Sequence, residues 1–180
     1  MLGCPVPDPS PPNRCYRALQ KVTIILQLNQ WVLTQANHMT KRIRIVLVDD
    51  HEAVRESWKF FLEKEERFVV VAQCKNGREA IEQAQTLMPD IILMDINMSV
   101  INGFEATRKI IEIMPSVRII GLSVNNHPGY AAKMLELGAK GFVTKTSPLS
   151  ELTRAILKVH AGEEYVCDEI NNDTTNRQNI

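Results

Sequence analysis

The sequence predicts an α/β protein: a doubly wound, five-stranded parallel sheet carrying five helices. Three observations predict it. Short β-branched or aliphatic runs recur along residues 41–161, each long enough for a buried strand. Helix-period segments separate them, which implies right-handed βαβ units with both sheet faces covered. Acidic residues follow two of the runs, Asp49-Asp50 after residues 43–48 and Asp95 after residues 91–94.

Taken in order, strands are expected at 43–48, 68–73, 91–95, 117–122 and 141–144. Helices are expected at 51–65, 77–88, 103–113, 127–137 and 148–161. Asn76 with Glu79, and Asn102 with Glu105, have the spacing of capping boxes at helix starts. Ser147 stands where a cap would precede Pro148 at the first helical position. Gly138 falls where the fourth helix should stop, and Pro89 and Pro115 follow the second and third.

The flanks differ in character. Residues 1–40 read as an N-terminal extension, opening with Pro5, Pro7, Pro9, Pro11 and Pro12. Either this is a docking extension, or translation starts at Met39 and the upstream stretch is a misassigned start; the second is the expectation. Residues 162–180 read as the start of a linker and a disordered polar tail, with no helix-turn-helix pattern.

Composition narrows the function. The 180 residues carry 21 basic and 21 acidic side chains, so no overall footprint for nucleic acid or anionic membrane is present. Cys4, Cys15, Cys74 and Cys167 form neither a disulfide framework nor a zinc spacing, and point to a reducing cytoplasm. No run reaches the roughly 18 apolar residues of a membrane span. Residues 22–33 are a poor signal peptide, interrupted by Gln27, Asn29 and Gln30.

Ligands of an open α/β sheet bind beyond the carboxyl ends of its strands. Asp49, Asp50 and Asp95 fall there, with Ser123 after the fourth strand and Lys145 after the fifth. Clustered carboxylates repel one another, and a hard cation relieves the repulsion; Mg²⁺ is the usual one beside a phosphate. The set suits phosphoryl transfer. Asp95 is the expected nucleophile, Asp50 directly and Asp49 through water the expected metal holders, and Lys145 and Ser123 the groups for the phosphoryl oxygens. An isolated acidic pair more often caps a helix, and a lone lysine is usually a surface residue; the company of the others favours a site.

Val48-Asp49-Asp50-His51, Leu93-Met94-Asp95-Ile96-Asn97-Met98 with Gly103, Leu122-Ser123, and Gly141-Phe142-Val143-Thr144-Lys145 together resemble the receiver domain of bacterial two-component response regulators. The likeness covers about residues 41–161. Asp50-His51 through Arg55, and His160 through Tyr165, resemble the NarL/LuxR-type subfamily. The resemblance implies a flavodoxin-like sheet of order 2-1-3-4-5. It implies Asp95 as phosphoacceptor, and Asp49, Asp50, Asp95 and the carbonyl of Asn97 as Mg²⁺ ligands. Ser123, Lys145 and Phe142 would be the phosphoryl-binding and switch residues, although Phe142 reads equally as static core. A sensor histidine kinase is the implied phosphodonor. A homodimer would form on phosphorylation, the face of the fourth helix and fifth strand being where receivers often dimerise, although the Met134, Leu135 and Leu137 stripe reads mostly as core. DNA would be bound only through an effector domain.

Two departures stand out. Ser99 replaces the family's usual proline. Thr146 follows Lys145 where many relatives have proline, which leaves the isomer of that peptide bond open. Two rivals remain. One is a stand-alone receiver that acts by protein contact. The other is a phosphatase with an aspartyl-phosphate intermediate, which Asn97 disfavours because its amide is no general acid or base. His51 and His127 are read as loop and cap residues, and Trp58 as core or partner-facing.

Overall fold

A computed structural model describes residues 42–171; the expected N-terminal extension and the tail beyond 171 lie outside them. The elements run β1 (Ile43–Val48), α1 (Glu52–Leu62), β2 (Phe68–Cys74), α2 (Gly77–Leu87), β3 (Ile91–Asp95), α3 (Gly103–Ile113), β4 (Arg118–Ser123), α4 (Pro128–Glu136), β5 (Gly141–Thr144), α5 (Leu149–His160) and β6 (Tyr165–Val166). The sheet order is β2-β1-β3-β4-β5-β6, every pairing parallel. This is the predicted flavodoxin-like fold with one strand added.

The central strands read as they do because both faces are covered. Ile45 and Val46 of β1 and Ile91, Ile92, Leu93 and Met94 of β3 are completely buried, so no polar alternation survives in them. Helices α2, α3 and α4 pack in succession, while α5 lies against β4, β5 and β6. The strand order turns between β1 and β3, and the acidic residues lie at the carboxyl ends of those two strands. The crevice of such a sheet opens at that turn.

Local signals set most helix ends. Oδ1 of Asn76 accepts the Glu79 amide, and Oδ1 of Asn102 accepts the Glu105 amide, each at 3.0 Å. His127 caps α4 with its ring Nδ1, which accepts the Gly129 amide at 3.0 Å, as its cap reading implied. Gly138 stops that helix at φ +97°, a conformation a side chain would strain. Pro148, however, is itself the cap position of α5. Ser147 does not cap that helix as expected; its hydroxyl lies 2.8 Å from the Thr144 hydroxyl.

The C-terminal reading needs correction. Residues 165–171 are not tail: Tyr165 and Val166 form β6 beside Gly141 and Phe142, and residues 168–171 make a helical turn. Tyr165, Cys167 and Ile170 enter the core. Two residues of strand are too short to carry a period, and their burial is set by β5 and α5. On the fourth helix only Met134 of the apolar stripe is fully buried, Leu135 and Leu137 being intermediate. Trp58 is half-buried and packs on the margin of the core. No cis peptide bond occurs among the described residues, so the bond before Thr146 is trans. None of the described helices is long and apolar enough to cross a membrane.

Candidate functional site

β1 and β3 end side by side and deliver Asp49 and Asp95, each only 3 % exposed, to one place. β5 delivers Lys145 opposite them. Its Nζ lies 2.6 Å from Oδ2 of Asp49 and 3.0 Å from Oδ1 of Asp95, so one ammonium bridges two buried carboxylates. Burial pushes the Asp95 carboxyl up, and the hydrogen bond and charge of Lys145 only partly oppose it; the nearby Asp49 charge adds to the rise. Burial also works against the Lys145 ammonium. Its hydrogen bonds to Asp49 and Asp95 outweigh that, and its pKa stands above the ordinary value.

Asp50 completes the acidic group. Its Oδ1 is buried and accepts no hydrogen bond; the His51 Nδ1 lies 2.8 Å from it without making one. A bare carboxylate oxygen inside a protein is costly unless something positive meets it. One lysine against three carboxylates leaves an excess of negative charge that a divalent cation would balance. Asp49, Asp50 and His51 offer ligand atoms within 4.8 Å of one another. These oxygens suit a hard cation such as Mg²⁺.

The remaining expected residues divide. Asn97 lines a cleft of about 260 Å³ with Asp95, Lys145, His51, Val54 and Val124. Ser123 ends β4 completely buried, and its Oγ accepts the Asn125 amide at 2.9 Å. The Lys145 amide donates to the Ser123 carbonyl at 2.6 Å, which ties the ends of β4 and β5 together. Phe142 is fully buried, and a Cβ on Gly121 would meet both its ring and Met134. It belongs to the core and faces away from solvent.

Several neighbours escaped sequence reasoning. His51, read as a loop residue, adjoins both aspartates; its place directly after the acidic pair was the available signal. Arg55 donates to the Asp49 carbonyl at 2.6 Å, one helical turn beyond His51. Val124, 67 % exposed, forms part of the cleft wall, and nothing in its surroundings in sequence marks it.

Residues 45–157 match the response regulator receiver domain. The chain belongs to that family. This receiver is 36% identical over 128 residues to the response regulator GacA of Pseudomonas viridiflava, covering 71% of this chain and 60% of that protein. It is 39% identical over 125 residues to the transcriptional regulatory protein DegU of Brevibacillus brevis, covering 69% and 53%. The chain thus spans little more than half the length of these relatives. A LuxR-family two-component response regulator from Aurantimonas sp. SI85-9A1 superposes with a TM-score of 0.74 at 33% identity, covering 78% of this chain and all of that one. The subfamily resemblance read from the receiver motifs agrees with these relatives.

Proposed function

We propose that this receiver accepts a phosphoryl group on Asp95 from the phosphohistidine of a sensor kinase, in a Mg²⁺-dependent reaction. The observation that carries the reading is the bridge of Lys145 between Asp49 and Asp95 beside the bare Oδ1 of Asp50. It combines a nucleophile, a fixed positive charge and an unmet demand for a cation.

In the proposed step a carboxylate oxygen of Asp95 attacks phosphorus. The P–N bond to the kinase imidazole breaks, and the imidazole keeps the electron pair and takes up a proton. Lys145, already 3.0 Å from Asp95, stabilises the charge on the equatorial phosphoryl oxygens. Asp50, Asp95 and the Asn97 carbonyl are the residues that would hold Mg²⁺, with Asp49 acting through water. When bound, the ion would screen the anionic nucleophile from the anionic donor. Ser123 would donate its hydroxyl proton to a phosphoryl oxygen while its Oγ goes on accepting the Asn125 amide.

The role is that of a signalling phosphoacceptor with slow turnover, because Asn97 supplies no acid or base two residues from Asp95. Residues 41–161 would be the phosphorylated unit, with residues 165–171 packed onto it, and residues 1–40 an extension. Similarity to the transcriptional regulatory protein DegU supports control of transcription; such a regulator would be cytoplasmic, dimerise on phosphorylation and act through a helix-turn-helix effector. The test is intact mass after incubation with acetyl phosphate. One phosphate gained with Mg²⁺, and none without it or in Asp95→Asn, is the expected result. No gain by a folded, metal-binding protein would overturn the assignment.

A further inference from the structure

Glu169 joins the two loops that carry the phosphoryl-binding groups. Its Oε1 accepts from Nδ2 of Asn126 at 3.0 Å, three residues beyond Ser123. Its Oε2 accepts from the Thr144 hydroxyl at 2.7 Å and from the Thr146 hydroxyl at 3.4 Å, on either side of Lys145. These hydrogen bonds, Thr144 and Asn126 foremost, hold the Glu169 carboxyl below its usual range. The residue itself lies on the turn that leads the chain out of the receiver.

The rest of that segment is anchored elsewhere. The Tyr165 and Cys167 amides bond the edge of β5. Oε1 of Glu151 on α5 accepts the Tyr165 hydroxyl at 3.0 Å and the Asp168 amide at 2.8 Å, and Arg154 meets Asp168 at 2.9 Å. Of these side chains, Glu169 is the one that grips the loops beside Ser123 and Lys145.

We propose that Glu169 is a latch that reports the state of Asp95 to the outgoing chain. The inference rests on the phosphoacceptor reading above. Ser123 Oγ holds the Asn125 amide at 2.9 Å, directly before Asn126. Turning that hydroxyl toward a phosphoryl group on Asp95 draws along the Asn125 amide it accepts, and the next residue moves with it. The Asn126–Glu169 bond and the Ser123–phosphoryl bond therefore compete. Phosphorylation opens the latch and loosens residues 169–171, while the β5 and α5 anchors of Cys167 and Asp168 stay. Coupling of this kind is reciprocal, so an opened latch favours phosphorylation by the factor that phosphorylation favours opening.

The test is hydrogen exchange of the full chain in Mg²⁺, with and without acetyl phosphate, with intact mass read in parallel. In phosphorylated wild type the amides of 169–171 are expected to exchange about fivefold faster or more. Glu169→Gln and Asn126→Ala should show that faster exchange without phosphate, and both should gain phosphate faster than wild type. Phosphate gain with unchanged exchange would overturn the latch and leave the phosphoacceptor reading standing. Variants that loosen 169–171 yet gain phosphate at the wild-type rate would reduce Glu169 to a tether and also overturn it. No phosphate gain by wild type would remove the phosphoacceptor reading and the latch with it.

Discussion

Nζ of Lys145 lies 3.0 Å from Oδ1 of Asp95, yet burial still holds the Asp95 carboxyl above its usual pKa. The ion pair compensates only part of the burial of the carboxylate, and Asp49 adds a second charge on the other side of the ammonium. The site is therefore electrostatically tense in the absence of a cation. A tense site is poised to bind one.

Lys145→Met should destabilise the metal-free protein by about 3 kcal/mol, because it strips the partner from two buried carboxylates. Mg²⁺ should recover part of that loss by supplying positive charge beside the same oxygens. Urea unfolding of wild type and variant, each with and without Mg²⁺, measures both effects. Equal stability of the two metal-free proteins would show that the bridge contributes nothing.

Asp95→Asn should act in the opposite direction. A carboxyl whose folded pKa is raised destabilises the fold once it is ionised, so a neutral isostere removes that cost at pH 7. A gain on the order of 1 kcal/mol in the metal-free protein is the expected size for a single-site change. The same variant should gain less stability from Mg²⁺ than wild type. Thermal midpoints across a Mg²⁺ titration read out both.

Gly103 opens α3 directly against β3. A Cβ there would collide with the Asp95 carbonyl oxygen and approach Cα of Ile96 to 2.8 Å. Both obstacles are backbone and cannot swing aside. Gly103→Ala should therefore cost about 1–3 kcal/mol and displace Asp95. Urea unfolding combined with the rate of phosphate gain would show the two losses together; an unchanged unfolding midpoint would mean that the helix yields.

Val100 sits in the loop between β3 and α3 at φ +73° with its side chain 74 % exposed. A β-branched residue is strained in that region and has no buried contact to offset it. Val100→Gly should relieve about 1–2 kcal/mol of strain, less about 0.4–1 kcal/mol for the freer unfolded chain. A small rise in thermal midpoint is expected; a fall would show that the valine is held for its contacts.

Cys74 is completely buried at the end of β2, and burial pushes its thiol up to about 12. At pH 8 its thiolate fraction in the folded chain is then on the order of 10⁻⁴, so alkylation should wait for unfolding. Burial likewise raises the Tyr165 hydroxyl to about 12. For both groups the folded state holds the proton more tightly than the unfolded chain. Their contribution is fully present below the unfolded pKa, about 8.5 for the thiol and about 10 for the phenol, and is lost as pH rises toward the folded value. Cys74→Ala should flatten the alkaline limb of the stability profile, and peptide mapping after native alkylation checks the protection.

The strand–helix alternation, the asparagine caps and the placing of Asp49, Asp50, Asp95, Ser123 and Lys145 at strand ends were all legible in the sequence. Each depends on neighbours within a few residues: a buried strand is a run of apolar side chains, and a cap is an amide three positions before its donor. β6, the burial of Cys167 and Ile170, and the grip of Glu169 on Asn126 and Thr144 were not legible. They join segments 20 or more residues apart, and a two-residue strand has no period to read. Ser147 failed as a cap for a local reason: Pro148 itself takes the cap position, and the Ser147 hydroxyl lies beside that of Thr144 three residues back. Sequence alone determined which chemical groups reach the crevice. Only the tertiary structure decided that Lys145 spans two of the carboxylates, that one oxygen of Asp50 is left bare, and that Phe142 turns into the core, because those outcomes depend on distances between strands that no local pattern encodes.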